Sequence, residues 1–402
     1  MWKARSQQGR LFNDSNHNRQ THEINESNFS GDDVKTLTLV TTGLGRPEPE
    51  EMRRLEAEDR HPRASLFGDE LNSDILDERF LSKKPDVAGI AGSVVPRSAL
   101  QVITAFRMRK QYDAVISWAE HLGLPYALLQ TVFRSDKPHI VIWSWISKAK
   151  KAVLLKMVQS GIDRIILMSS RQRDFAVDVL KIPSSKVVLL RWPVDQKFWR
   201  PLEVEQNMIC SVGREMRDFG TLVKALQGTG IRCHIAASIH RGKKDRWIGD
   251  LERLQPLPES ITVGKKPYLE LRQLYATSRF VVIPLYPTDT DNGTTSILES
   301  MAMGKAVICS RVAGQADVIQ DGVNGIFVPP EDPMALREAV LYLWNNRAVA
   351  ERMGKAGREF IEQNHTLDAF VSNVKRTVEE AIRGRRGNNA VRRHGDADGS
   401  VN

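Results

Sequence analysis

One alternation runs through most of this chain: short apolar runs follow amphipathic segments, first over residues 35–202 and again from residue 203. In the second half, MICSVG, RCHIAAS, FVVIPLY and AVICS are typical of buried strands, and YLELRQLYATS and TTSILESMAMG of helices. Strands that alternate with helices favour parallel sheets joined by crossover helices. The sequence therefore predicts an α/β fold with two Rossmann-like, doubly wound domains that face each other across a cleft. Ligands of such sheets bind at the carboxyl ends of the strands.

Length and breaks in the pattern suggest the domain boundaries. A chain of 402 residues is longer than one core usually fills. Pro193 and Pro201, with aromatic residues between them, end regular structure and predict a hinge near residue 202. The first residues are polar and almost free of aliphatic runs, which is typical of disorder. We therefore predict a disordered extension, an N-terminal domain, a C-terminal domain, a C-terminal helix and a disordered basic tail, at residues 1–34, 35–202, 203–365, 366–383 and 384–402.

The net charge of +9 is unevenly spread along the chain. Basic residues cluster in RMRK, SKAKKAVLLK, RGKKDR and RGRRGNNAVRR. Such clusters suit anionic lipid, nucleic acid or phosphorylated ligands, and they are equally typical of a solvated surface with a disordered tail. The segment WSWISKAKKAVLLKMV joins aromatic residues to a basic amphipathic stretch. This pattern suits peripheral contact with an anionic membrane, and an ordinary surface helix of the N-terminal domain is the slightly favoured alternative.

Cysteine usage and hydropathy indicate the compartment. Cys210, Cys233 and Cys309 lie in separate apolar runs, without the paired spacing of a metal site or a disulfide framework. No apolar run reaches the roughly 18 residues of a membrane span, and the polar start lacks the apolar centre of a signal peptide. We therefore expect a cytoplasmic protein.

The stretch TDTDNGTTSILESMAMGKAVI, residues 288 to 308, carries the most specific chemistry. Asn292 and Gly293 are good residues for a helix start. The free amides of the first helical residues then favour an anion such as phosphate, and Glu299 lies roughly 7 to 8 Å below them. A buried carboxylate needs a partner. This arrangement has an acid above the helix start, amides at it and an acid one turn below. It matches a nucleotide sugar, which has hydroxyls at both ends and phosphate in the middle. The residues concerned are Asp291, Gly293, Thr294, Thr295, Ser296 and Glu299.

At this point the chain resembles the GT-B glycosyltransferases, in particular the retaining enzymes of glycosyltransferase family 4. The resemblance rests on Asp291, seven residues and Glu299, followed by SMAMGKAVICS and VIQDGVNGIFVPPEDPMALREAV. It covers roughly residues 140 to 382 and is strongest from 276 to 340. It implies that Glu299 holds the ribose hydroxyls and that Asp291 contacts the donor sugar. The family usually has Glu where this chain has Asp291, one methylene shorter.

The same resemblance implies further site residues. The family has an arginine after the first strand of the second domain and a lysine beyond it, and both contact the diphosphate. In this chain Arg214 follows Gly213, and Arg217 is the candidate that replaces the absent lysine. Two surface arginines at a helix start are the alternative. A glycine pair near the diphosphate corresponds to Gly43 and Gly45, although such a pair is also typical of a plain turn. On the acceptor side the available residues are Glu120 and His121. The alternative, nearly as well supported, is that Glu120 caps the helix and His121 lies on its surface.

The resemblance also implies a mechanism. The leaving diphosphate assists attack from the same face of the sugar, so we expect a retaining hexosyltransferase of carbohydrate biosynthesis with no cofactor and no metal. The donor is a nucleoside diphosphate sugar, and the acceptor is an unidentified polysaccharide, lipid or small molecule. The C-terminal helix is expected to cross back to the N-terminal domain.

Three other functions fit parts of the pattern. A GT-B epimerase would act on the sugar nucleotide itself, and a non-catalytic relative would bind nucleotide or a polyanion through its basic face. No specific nucleic-acid partner is expected. The acids of DTD, residues 289 to 291, resemble the metal-binding pair of GT-A transferases, but their position before a helix in the second domain favours the GT-B interpretation.

Overall fold

The computed structural model describes residues 34–41, 47–82, 96–143, 146, 149–237, 251, 253–315 and 317–398. All but the last residue of the predicted N-terminal extension lie outside the described residues, as do Gly43, Gly45 and the basic segment RGKKDR.

The first half of the chain builds one six-stranded sheet in which every neighbouring pair is parallel. Its strand order is β2-β1-β3-β4-β5-β6. The strands are β1 (Thr36–Leu39), β2 (Ser73–Leu76), β3 (Ala114–Trp118), β4 (His139–Trp143), β5 (Arg164–Leu167) and β6 (Val187–Leu189). The central β4 is buried along its whole length, which explains its continuous apolar sequence HIVIW.

The second half builds another parallel six-stranded sheet, in the order β12-β11-β10-β7-β8-β9. Its strands are β7 (Met208–Val212), β8 (Cys233–Ala236), β9 (Ile261–Val263), β10 (Ser278–Ile283), β11 (Ala306–Ser310) and β12 (Gly325–Val328). We call the two sheets the N-terminal sheet and the C-terminal sheet. They confirm the predicted α/β architecture with two doubly wound halves.

Helices connect the strands and flank both sheets. In the N-terminal half they are α1 (Pro49–Ala57), α2 (Leu66–Glu70), α3 (Glu78–Ser82), α4 (Arg97–Met108), α5 (Glu120–Val132), α6 (Ala149–Val158) and α7 (Ser170–Asp174). In the C-terminal half they are α8 (Phe219–Leu226), α9 (Tyr268–Thr277), α10 (Thr294–Ala302), α11 (Pro333–Asn345), α12 (Arg347–Asn364) and α13 (Leu367–Asp398). Local signals start some of them: Asp332 accepts hydrogen bonds from the amides of Met334 and Ala335, with Pro333 as the first helical residue.

Helix α13 leaves the C-terminal half and packs on the N-terminal sheet. Phe370, Val371, Val374 and Val378 share one buried cluster with strand residues of that sheet, among them Ile116, Ile140 and Ile142. The opposite face of the N-terminal sheet is covered by α4, α5 and α6. The helix runs to Asp398, whereas the sequence predicts a disordered tail from residue 384.

Within the described part of the chain, no helix combines the length and the apolar character that crossing a membrane requires.

Candidate functional site

The start of α10 lies at the carboxyl end of β10. Gly293 precedes the helix with φ +97°, and a β-carbon there would lie 3.2 Å from Ile283 Cγ2, so a side chain would be strained at this position. The amide of Thr294 donates to the carbonyl of Asp291 at 3.1 Å, whereas Thr295 is exposed. The helix therefore presents its first turn, with the positive end of its dipole, at the edge where ligands of parallel sheets bind.

Glu299 lies on the same helix and is buried, with 9% of its surface exposed. Its Oε2 accepts a hydrogen bond of 2.9 Å from the hydroxyl of Tyr275, which comes from α9. Burial raises the pKa of Glu299 to about 7, against the opposing effects of the Tyr275 hydrogen bond and the charge of Arg217. Its carboxyl group thus changes charge near neutral pH and has lone pairs left for a ligand's hydroxyl groups.

Asp291 precedes α10 and is held from the segment that joins the two sheets. The indole Nε1 of Trp192 donates to its Oδ2 at 2.5 Å. Burial raises the pKa of this carboxyl group, and the charges of Glu120 and Asp317 raise it further. Asp291 therefore lies close to acids from both halves of the chain.

A cavity of about 140 Å³ opens beside Asp291. Gln315 lines it and donates through Nε2 to the carbonyl of Asn292 at 2.6 Å, which fixes the loop before α10. Asp317 also lines it and accepts 2.8 and 2.5 Å hydrogen bonds from the amide and hydroxyl of Ser170, the first residue of α7. The cavity is therefore bounded by residues of both halves.

The loop after β7 carries two arginines with different environments. Arg214 is exposed and has no hydrogen bond or ion pair with any residue that the structure describes. Arg217 is only 3% exposed and donates to the carbonyls of Val212 and Glu215 at 2.9 and 2.8 Å, and to Ser296 Oγ at 3.2 Å. Burial lowers the pKa of Arg217 to about 10.

The family resemblance implies that both arginines contact a diphosphate, and the structure shows that Arg217 is buried. Its guanidinium lies under Gly213, where an added β-carbon would come within 2.2 Å of Nη2. Three of the N–H groups of Arg217 bond to the protein and fix the shape of the loop, whereas Arg214 makes no such bond to the residues that the structure describes.

Glu120 and His121 begin α5 at the carboxyl end of β3. Glu120 is buried and close enough to raise the pKa of Asp291, so it faces the loop before α10. His121 is exposed, and its Nε2 lies 2.9 Å from Thr41 Oγ1. The structure therefore brings Glu120 toward Asp291 and leaves His121 at the surface.

Four polar residues of this region carry no sequence signal of their own. Tyr275 belongs to a segment that the sequence predicts as a helix, and Trp192 is interpreted as a packing or hinge aromatic. Gln315 and Asp317 lie in a loop without a recognisable motif. The fold brings Tyr275 to Glu299 and Trp192 to Asp291. It likewise brings Gln315 to Asn292 and Asp317 to Ser170. Among the described residues, no group of three His, Cys, Asp or Glu side chains is arranged to hold a metal ion.

Two parallel six-stranded sheets with this site between them define the GT-B class of fold. Sucrose-phosphate synthase from Thermosynechococcus elongatus matches with a TM-score of 0.69 and 16% identity, over 87% of this chain and 100% of that one. HepE from Anabaena, solved in complex with UDP and glucose, matches with a TM-score of 0.63 and 14% identity, over 86% of this chain and 99% of that one. These likenesses confirm the fold.

Sequence comparison reaches the same class of protein. Residues 216–346 match the family model described as Glycosyl transferases group 1. D-rhamnosyltransferase WbpZ of Pseudomonas aeruginosa is 25% identical over 67% of this chain and 77% of its own length. O-antigen chain mannosyltransferase C of Escherichia coli is 34% identical over 25% of this chain. The resemblance to glycosyltransferases is therefore confirmed.

The matched share of several relatives is small. The chain aligns to 28% of the length of the Escherichia coli protein and to 32% of an uncharacterized glycosyltransferase of Methanocaldococcus jannaschii, with which it is 29% identical.

Proposed function

We propose that this protein is a metal-independent, retaining hexosyltransferase that uses a nucleoside diphosphate sugar. The observation that carries the proposal is the pairing of Glu299, buried one turn inside α10, with the open start of that helix. The exposed Arg214 lies in the neighbouring loop. The family model over residues 216–346 and the transferases among the relatives support this activity.

In this proposal the donor lies along α10. The carboxylate of Glu299 accepts hydrogen bonds from the ribose hydroxyls, because it is an acceptor already fixed by Tyr275. The diphosphate lies at the first turn of α10, at the amides of Thr295 and Ser296, with Arg214 as its counter-charge. Asp291, fixed by Trp192, contacts a hydroxyl of the sugar.

The transfer step needs little from the protein beyond position and charge. The bond between the anomeric carbon and the phosphate oxygen breaks while a bond from the acceptor oxygen forms on the same face. The acceptor proton passes to the departing phosphate oxygen. Arg214 and the start of α10 stabilise the charge that develops on the diphosphate, and Glu120 helps to position the acceptor. Closure of the two halves excludes water that would hydrolyse the donor.

Calorimetric binding of UDP, GDP and ADP, with and without Mg²⁺, tests the donor site. We expect one of the three to bind without metal and its affinity to fall about 10- to 100-fold in Glu299→Ala, because a charged hydrogen-bond acceptor is lost. The matched control is Glu338→Ala, which removes an exposed Glu from α11. If folded wild-type protein binds none of the nucleotides, the donor site is wrong and a polyanion-binding role gains weight.

The stereochemistry is tested separately. With the identified donor and an accepted sugar, NMR of the new glycosidic bond is expected to give the donor's anomeric configuration. Inversion would exclude the retaining mechanism. Conversion of the donor sugar without an acceptor would favour the epimerase.

We also propose that the protein works in the cytoplasm at an anionic membrane. Apolar side chains are exposed next to basic ones on α6, where Met157 is 70% exposed beside Lys156, and just after α5, where Phe133 is 63% exposed beside Arg134. Such a face suits the headgroup region of a bilayer.

Co-sedimentation with vesicles of equal parts phosphatidylglycerol and phosphatidylcholine tests this contact. We expect binding at low salt that Met157→Glu weakens. The control Met334→Glu changes an equally apolar side chain, 63% exposed, on α11 of the other half. Equal sedimentation of both variants, or none of the wild type, contradicts the proposal.

A further inference from the structure

A second and larger cavity, of about 460 Å³, lies beside the N-terminal sheet. Its floor is formed by side chains of β1 and β2, including Thr38 and Ile75, and its walls come from α1, α2 and the start of α13. This volume lies within the range of ligand pockets for small molecules, which starts at about 300 Å³.

The lining of this cavity is mainly apolar. Met52, Phe67 and Phe80 contribute to it, and one wall is aromatic. The ring of Trp118 packs edge-on against Phe67 at 5.2 Å between centroids and lies 6.0 Å from the ring of Phe370. Such a surface favours aliphatic or aromatic groups over charged ones, because their burial removes apolar area from water.

The charged groups at the rim are compensated within the protein. Arg53 pairs with Asp69 at 2.7 Å, and Arg63 pairs with Asp195 and Asp368 at 2.7 and 2.9 Å. The hydroxyls of Thr38 and Ser73 bond to each other at 2.7 Å, so these floor groups also have partners. A phosphate or carboxylate would have to displace existing ion pairs, whereas an uncharged chain would not.

The cavity is next to the site described above. Trp118 ends β3, two residues before Glu120, which faces Asp291. Leu367 lines this cavity and His365 lines the smaller one beside Asp291, so the same short segment separates the two. The large cavity therefore lies next to the residues proposed to contact the donor sugar.

We propose that this cavity binds the apolar chain of an amphiphilic acceptor, whose uncharged, hydroxyl-bearing head extends toward Glu120 and Asp291. The acceptor role rests on the proposed transferase function, whereas binding of an apolar chain in the cavity does not. The occupant is a single-chain alcohol or glycoside, since the cavity offers an apolar wall and compensated charges.

Calorimetry with hexyl, octyl and decyl maltoside, below their micelle concentrations, tests the cavity, with maltose as the chainless probe. We expect one site per chain and an affinity that rises about fourfold per methylene, as for transfer of hydrocarbon from water. Maltose alone is expected to bind at least 100-fold more weakly than the decyl compound.

The matched variants are Ile75→Trp and Ile103→Trp. Ile75 lines the cavity and is 36% exposed, whereas Ile103 is 41% exposed on α4 outside it. We expect Ile75→Trp to lose at least tenfold in decyl maltoside affinity, Ile75→Phe to lose less, and Ile103→Trp to keep the wild-type value. Nucleotide binding by each variant verifies that it is folded.

Several results would overturn the inference. They are an affinity independent of chain length, several weak sites per chain, or equal losses in Ile75→Trp and Ile103→Trp. Failure of nucleotide binding with intact maltoside binding would sink the transferase proposal and leave the cavity assignment standing. The reverse result would remove the cavity and keep the donor site.

Discussion

At the scale of single residues, the carboxyl group of Glu299 depends on a partner from another element. Tyr275 is fully buried, its ring lies 5.5 Å from that of Trp199, and its hydroxyl donates to Glu299. Removing that hydroxyl leaves the carboxylate with less stabilisation, so the pKa of Glu299 rises above its present value of about 7. In the proposed donor site two ribose hydroxyls donate to the carboxylate, and the neutral acid cannot accept both equally, so we expect the effect to be measurable as a change in nucleotide affinity.

For Tyr275→Phe we predict a several-fold loss of nucleotide affinity at pH 7 that recovers toward pH 9. The charged group near Glu299 is Arg217, and the hydroxyl of Tyr275 and the thiols of Cys210 and Cys309 are the other titratable groups near them. Calorimetry across this pH range measures the shift. The matched control is Tyr126→Phe, since the Tyr126 hydroxyl is buried without a hydrogen-bond partner among the described residues. A flat pH profile in Tyr275→Phe would exclude the positioning role.

Stability should follow the same carboxyl group with a definite sign. Burial raises the folded pKa of Glu299 above its ordinary value of 4.5, so folding favours the neutral form. Its contribution is therefore fully present below about pH 4.5 and is lost as pH rises through about 7. In Tyr275→Phe the pKa of Glu299 is higher, so this stabilising contribution is lost at a higher pH than in the wild type.

Local sequence signals predict the positions of Asp291 and Glu299 around a helix start, but they do not predict which residues bond to these two acids. Gly293 and the apolar register of Ile297 and Leu298 predict a helix start with one acid on each side of it. Tyr275 is 24 residues from Glu299, and Trp192 is 99 residues from Asp291. No periodicity or spacing links residues so far apart.

At the scale of elements, the buried guanidinium of Arg217 fixes the turn after β7 by donating to the carbonyls of Val212 and Glu215. Gly213 has φ +100° and Gly228 has φ +73°, but only at Gly213 would a β-carbon meet the guanidinium. The strands and helices themselves were predicted well, because buried parallel strands such as β10 are continuous apolar runs. The buried position of Arg217 was not predicted, because an arginine at a helix start is ordinarily exposed.

We predict that Gly213→Ala destabilises the protein by about 2 to 4 kcal/mol and weakens nucleotide binding. The left-handed backbone costs about 1 to 2 kcal/mol for alanine, and displacement of Arg217 adds the loss of buried hydrogen bonds. Gly228→Ala carries only the backbone cost, because nothing lies within 4 Å of its added carbon. Urea denaturation of both variants measures the difference, and equal effects would contradict the proposed contact.

At the scale of the whole molecule, Asp59 ties the N-terminal half to the C-terminal half. It accepts hydrogen bonds from Arg200 at 2.7 Å and from Arg272 of α9 at 2.9 Å. Arg272 is 6% exposed and lies over the ring of Phe198 at 4.4 Å. The sequence could not reveal this tie, since 213 residues separate Asp59 from Arg272.

For Asp59→Asn we predict a loss of about 1 to 2 kcal/mol at pH 7, less than for a buried pair because Asp59 is 43% exposed. The Arg200 hydrogen bond, with Arg272, lowers the pKa of Asp59 to about 2. The stabilisation is therefore present above about pH 4 and is lost as pH falls toward 2. Urea denaturation at pH 7 and pH 3 measures it. The matched control Asp69→Asn breaks an exposed pair and is expected to cost clearly less than Asp59→Asn.

The return of α13 to the N-terminal sheet has a consequence for the order in which the protein is made. The ribosome completes β3 and β4 long before it adds Phe370 and Val374, which cover Ile116 and Ile140. Until then one apolar face of the nascent sheet stays open to water and to other chains. The first sheet to be synthesised is therefore among the last to be finished, and part of its apolar surface stays exposed for the time it takes to translate the second.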